Sequence, residues 1–266
     1  MRNKLLNTMP IYKFTSVLFI FLLIACEGTD LVSIEEEPSI EECSSGIIAT
    51  GKYYQKDDKQ FLYGGEDSTT HFNITDWELN PCYLGNGAGR ESFPALIKPE
   101  YVPLEEVKDR YPDSMDALIL QASPYVKVYP FRILRRHELI NDVVNGVPVM
   151  AVYCYLADLV AVYERTYCND VLTFGVSGFT YKDPNAFDGL ESFILWDRNS
   201  ESLWWPINDE GVSGMYKDSR LKKYDFRLWG RTTMEEVKNT YPDAVVIAEG
   251  QTVDLPVSVF HSEGCN

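Results

Sequence analysis

Three features of the sequence predict an α+β domain dominated by antiparallel strands. Asn145-Gly146 lies between two apolar runs, and this dipeptide supplies the positive φ that a type I′ hairpin turn needs at both central residues. Short runs rich in Val, Ile, Tyr, Phe and Trp recur with turn residues between them. Helical signals are few, and the clearest ones end at a proline.

The chain opens on a targeting pattern. Arg2, Lys4 and Lys13 precede a short apolar core at Val17–Ala25, too short to span a bilayer comfortably and suited to a signal peptide over residues 1–25. Leu23-Ile24-Ala25-Cys26 resembles the lipobox of bacterial lipoproteins, in which the cysteine becomes the lipidated N-terminus. Acyl chains on Cys26 anchor a protein because each buried methylene adds about 0.8 kcal/mol. The expected location is therefore the bacterial cell envelope, lipid-anchored, periplasmic or surface-exposed, with the outer membrane favoured. Residues 26–45 are polar and acidic, as a tether is, and residues 46–266 are expected to form one globular domain.

The formal charge is −16, and loss of the leader with its three basic residues takes it to about −19. Nucleic acid is excluded as a partner, since neutralising phosphates needs a basic footprint. The membrane, reached through Cys26, is the one partner the sequence indicates.

Within the domain, Gly64-Gly65 marks a turn. Gly85–Arg90 is a glycine-rich loop that lacks the spacing of a phosphate-binding loop and is read as a surface loop. Pro103–Tyr111 is expected to be a short helix stopped by Pro112, followed by strands at Ala117–Leu120 and Tyr125–Tyr129 around Ser123-Pro124. Leu139–Val144 and Val147–Tyr153 form the hairpin around Asn145-Gly146. The second of these is nearly all apolar, as a strand buried on both faces would be. Leu159–Tyr167 then runs out, Cys168-Asn169-Asp170 turns, and Val171–Val176 is expected to return beside it. Phe193–Asp197 and Ser202–Trp205 make a further hairpin. Glu105-Glu106-Val107-Lys108 with Tyr111-Pro112-Asp113 recurs as Glu235-Glu236-Val237-Lys238 with Tyr241-Pro242-Asp243, a spacing too long for a solenoid.

An oxidising compartment permits disulfides among Cys43, Cys82, Cys154, Cys168 and Cys265. If Leu159–Tyr167 is one strand, Cys154 and Cys168 sit about 30 Å apart at its two ends, too far to bond. Cys154 is the candidate free thiol, and the pairing of the other four stays open.

The hairpin places residues 137–139 beside 152–154, so His137 and Cys154 share one end of a ribbon. An imidazole near a thiol can lower its pKa and make a nucleophile, or the two can ligate copper or zinc. Glu138 and Asp142 can orient the ring. His137, Cys154 and Glu138 are thus the catalytic candidates, and His137 and Cys154 the metal candidates. Two protein ligands are fewer than a zinc site normally has. Arg90, Arg132, His137, Glu138, Asn141, Asp142 and Ser177 are the candidate ligand-binding residues. HExxH, GxSxG and CxxC are absent from the sequence.

Several pieces, in order, resemble one bacterial family: Gly89–Leu96, Pro99-Glu100-Tyr101, Tyr129-Pro130, His137-Glu138 with Asn141-Asp142, Gly146–Val149, Tyr153-Cys154, Leu172–Gly178, Glu201–Trp204 and Tyr241-Pro242-Asp243. Over about residues 72–248 the chain resembles the domain-of-unknown-function 3179 family. The resemblance implies a site and no reaction. Where the family commonly reads Cys-Pro-Leu-Cys-Gly, this chain has Cys154-Tyr155-Leu156-Ala157-Asp158, and Arg136 stands where the family tends to have Trp. Loss of the second cysteine favours a binding or structural lipoprotein, with a pocket lined by Arg90, His137, Glu138 and Cys154. The alternative is a metal- or thiol-dependent enzyme using Cys154 with His137.

Overall fold

The structure, a computed structural model, describes Cys43 and residues 46–251. The expected leader, the lipid-acceptor Cys26, most of the acidic tether, His261 and Cys265 lie outside the described residues. No helix among the described residues is long and apolar enough to cross a membrane.

A five-stranded central sheet organises the body, in the order Lys222–Lys223, Leu159–Glu164, Val147–Cys154, Leu139–Val144, Leu96–Ile97. The Asn145-Gly146 turn forms as the dipeptide requires, with φ of 52° and 80°. Val144 then pairs with Val147, and Leu139 with Val152. Side chains alternate between two apolar faces. Leu139, Met150, Val152 and Cys154 enter one core, and Ile140, Val149, Ala151 and Tyr153 enter another. Such double burial explains the unbroken apolar run at 147–153.

On the first face lies a second five-stranded sheet, here the Trp sheet: Glu210–Ser213, Leu203–Trp205, Glu191–Asp197, Phe174–Lys182, Leu84–Asn86. Phe174, Val176, Phe193, Leu195 and Trp204 point from it toward the central sheet. Its far face carries Phe179, Ile194, Trp196 and Trp205, covered by the small sheet of Tyr53–Lys56, Lys59–Leu62 and Phe72–Asn73. Trp196 and Trp204 are both fully buried. Each contributes at most roughly 4–6 kcal/mol of apolar burial.

On the second face lies a helix-backed sheet: Trp229–Thr233, Asp116–Gln121, Val126–Pro130, Val245–Ile247, Tyr101–Pro103. Leu118, Leu120, Tyr129 and Ile247 meet the central sheet, while Ala117, Ile119, Val128 and Val246 meet the helices Leu104–Val107 and Met234–Thr240. The sequence repeat belongs here. Tyr101–Pro103 leads through its helix to Asp116–Gln121, and Trp229–Thr233 leads through its helix to Val245–Ile247. The first strand of each copy pairs antiparallel with the second strand of the other. Both helices pack in one core, and Lys238 of the second copy donates to the Tyr111 carbonyl of the first at 2.8 Å.

One expectation is corrected. Val171–Val176 does not return beside Leu159–Tyr167. Thr166–Tyr167 pairs only with Asp170–Val171, and Phe174–Lys182 joins the Trp sheet. The cause is Arg165, buried at the corner. Its guanidinium donates to the carbonyls of Val149 at 2.8 Å, Leu172 at 2.5 Å and Asp142 at 3.1 Å, which turns the chain out of the central sheet. The open edge of Leu159–Glu164 is taken instead by Lys222–Lys223. Phe131–His137, between two of the expected strands and assigned to neither, is a helix. Pro130 is its N-cap residue, and Phe131, Ile133 and Leu134 bury one side against the sheets.

Cys43 and Cys82 are disulfide-bonded, Cys168 is in a disulfide as well, and Cys154 is a buried free thiol.

Candidate functional site

Glu138 is the residue on which a site can be built. It ends the Phe131–His137 helix with φ 57° and ψ −27°, and its N–H donates to the Leu134 carbonyl at 2.6 Å. Glycine is the usual occupant of a left-handed helix end, because a side chain there costs about 1 kcal/mol. The chain carries a glutamate at this position and buries it to 4% exposure. Its carbonyl is fastened to the neighbouring strand by the Tyr153 N–H at 2.9 Å. No donor among the described residues reaches its carboxylate. Burial alone pushes that carboxyl up to about 7.

Glu138 lines a cavity of about 150 Å³ whose wall also includes Ser92, Phe93, Tyr155, Phe179 and Phe193. The cavity lies where the Glu138 end of the central sheet meets the Trp sheet. Phe93 and Tyr155, together with Leu156, are large apolar side chains left partly open to solvent at 40%, 53% and 41%. They lie in the loops before Leu96–Ile97 and after Val147–Cys154.

The opposite wall is held by interlocked glycine motifs. In the Trp sheet a bulge between Val176 and Thr180 puts Gly178 at φ +86°. The Gly178 carbonyl accepts from the N–H groups of Gly87 at 2.9 Å and Ala88 at 3.0 Å, and Glu91 N–H donates to Val176 at 3.0 Å. The glycine-rich loop thus spends these amides on the protein itself rather than on an anion. Ser177 closes the same bulge, donating its hydroxyl to Ile194 at 2.7 Å and accepting from Phe179 N–H at 3.2 Å.

Of the four residues expected to line a pocket, Glu138 alone reaches this cavity; Arg90, His137 and Cys154 do not line it. His137 is buried behind it. Its Nδ1–H donates to the Pro94 carbonyl at 2.7 Å, and burial, with Arg136 nearby, moves its pKa below the ordinary value despite that bond. Cys154 lies fully buried in the core between the central and Trp sheets, and burial pushes its thiol up. The charged group it senses is Glu138. No hydrogen bond joins Cys154 to His137 among the described residues. Nor do three His, Cys, Asp or Glu side chains there gather as a metal-ligand group.

The other candidates occupy separate places. Arg90 is sandwiched between the rings of Phe72 at 4.1 Å and Trp196 at 4.4 Å and pairs with Glu201 at 2.5 Å. Arg132 pairs with Glu249 and stacks on Tyr111 at 4.7 Å. Asn141 bridges the central sheet to the Trp sheet. Asp142 faces the helix-backed sheet, where it accepts from Tyr101 and Tyr129 at 2.5 Å each and from Lys127 at 2.7 Å. Sequence reasoning missed Ser92, Phe93, Tyr155, Phe179 and Phe193. The available signal was Phe93 and Tyr155-Leu156, apolar residues in loops where polar ones are usual.

The described residues thus form a stack of β-sheets in which the buried Glu138 carboxylate, without a partner among them, opens to a cavity. A family model described as "protein of unknown function (DUF3179)" matches residues 90–254. The chain belongs to this domain-of-unknown-function 3179 family. No curated protein matches the chain. No solved structure matches it either.

Proposed function

We propose that this chain is a lipid-anchored binding protein of the bacterial cell envelope, with the Glu138 cavity as its binding site. One observation carries the reading. An ionisable side chain at 4% exposure, with no partner among the described residues, faces a cavity large enough for a small molecule. Leaving a carboxylate buried and unpaired costs stability, and its strained left-handed backbone adds to that cost. A residue that is unfavourable on both counts is explained by a ligand that satisfies it. The leader, Cys26 and the acidic segment behind it support the anchor, and the high net negative charge keeps the body off an anionic lipid surface.

The test is a thermal-shift screen of the full-length chain in non-ionic detergent against small amines, acids, sugars and neutral aromatics. A ligand of the folded state raises the melting temperature by mass action. A Ser92→Trp variant, which fills the cavity, should lose the response. If no compound distinguishes the two proteins, the binding reading fails. Labelling with a radioactive fatty acid, lost in Cys26→Ala, checks the anchor separately.

A further inference from the structure

Resting on the reading of the Glu138 cavity as a binding site, we propose that its ligand is a small organic cation, an amine or quaternary ammonium with a compact apolar body. The wall holds one charged group, Glu138, and no Lys, Arg or His. Three aromatic side chains, Phe93, Tyr155 and Phe193, make up much of the remainder, while the Phe179 ring packs on the far face of the Trp sheet. A carboxylate among aromatic rings is the arrangement that holds an alkylammonium, the rings attracting the cation through their quadrupoles and the carboxylate balancing its charge.

Other ligand classes fit less well. An anion would meet the carboxylate with few donors to offset it. The Thr180 hydroxyl is already given to Glu191 at 2.7 Å, and the Asn86 amide donates to Thr180 at 3.3 Å. A divalent metal needs several oxygen ligands, and the wall offers one carboxylate. A neutral molecule would do nothing to favour the ionised carboxylate, which burial already disfavours. Size narrows the class further. The cavity is about 150 Å³, a volume that elsewhere holds a single benzene ring, so the bound portion is about six to eight heavy atoms. The chain's formal charge of −16 also concentrates cations around it.

The experiment is titration calorimetry of the full-length chain in phosphate buffer with non-ionic detergent. The probes are choline, tetramethylammonium and butylammonium, with 3,3-dimethylbutan-1-ol as the uncharged carbon isostere of choline. At least one cation should bind about tenfold or more tightly than the isostere. Glu138→Gln should bring that ratio to near one, and the rim variant Phe93→Ala should weaken the cation several-fold. Thermal unfolding of both variants verifies that they fold. Equal or tighter binding of the uncharged isostere overturns the cation and leaves the pocket standing. Binding by none of the three cations overturns it too. If Ser92→Trp then also matches the wild type across the wider screen, the pocket reading falls with it.

Discussion

Asn141 in the central sheet grips the backbone of Phe174 in the Trp sheet with both ends of its amide. Its Nδ2 donates to the Phe174 carbonyl at 2.8 Å, and its Oδ1 accepts from the Phe174 N–H at 2.9 Å. The same Nδ2 reaches the Leu96 carbonyl at 3.3 Å. One side chain thus closes a ladder rung between two sheets and tethers the strand that follows the cavity-lining loop. Replacement by Leu strands a buried donor and acceptor, each at about 1–3 kcal/mol. Asn141→Leu should therefore lose about 3 kcal/mol or more in urea denaturation. Asn141→Asp, which keeps the acceptor, should lose less if its carboxyl is protonated.

Glu138 gives stability a definite pH dependence. Its folded pKa of about 7 lies above the ordinary carboxylate value of 4.5. Between those values the folded protein holds a proton that the unfolded chain has released, so stability falls as pH rises through the window. Below pH 4.5 the contribution vanishes, and above pH 7 the full penalty applies, roughly 3 kcal/mol. Glu138→Gln should match the wild type at pH 4 and exceed it at pH 8. Glu138→Gly should gain further, because glycine relaxes at φ 57°. Arg136 and His137 precede Glu138 in its own helix, and the Cys154 thiol senses its charge. A stability difference equal at both pH values would show the carboxyl to be ordinary.

Gly178 tolerates no side chain. A Cβ there would lie 2.2 Å from the Gly89 carbonyl oxygen and 2.6 Å from the Gly89 nitrogen, and φ is +86° besides. The obstruction is backbone and cannot rotate away. Gly178→Ala should lower the melting temperature by at least 5 °C, the shift expected of a loss of a few kcal/mol in a chain this long. It should also expose the glycine-rich loop to proteolysis. Gly146→Ala makes the contrast, since nothing lies within 4 Å of its Cβ position and only the φ of +80° opposes it. That variant should cost about 1 kcal/mol.

Cys154 behaves as a packing residue. It is fully buried, and burial raises its thiol pKa, so little thiolate forms at neutral pH. A disulfide-exchange reagent should leave it unmodified in the native protein and titrate one thiol after denaturation. Cys154→Ala should cost about 1–2 kcal/mol through the cavity left behind, while cation binding at Glu138 stays within a few-fold of wild type. Rapid native labelling would restore the thiol as a chemical group.

The sequence alone determined the strand-dominated class, the Asn145-Gly146 hairpin, the family and the segregation of Cys154 from Cys168. The family follows from the order of its motifs, and the rest from local rules: turn dihedrals, side-chain alternation and the reach of an extended strand. It also marked His137 and Cys154, with Glu138 beside them, as the place to look. Which of the three faces the cavity was decided by tertiary structure. The helix at Phe131–His137 ends in a left-handed residue that turns Glu138 toward the Trp sheet and ties His137 back to Pro94. The loss of the Val171–Val176 return has the same kind of cause. Arg165 satisfies its buried guanidinium with carbonyls from three segments that meet only after folding. The cavity wall joins residues 86–93, 138, 155–156 and 176–193. No local pattern encodes that meeting, because burial and pairing between distant segments are properties of the assembled sheets.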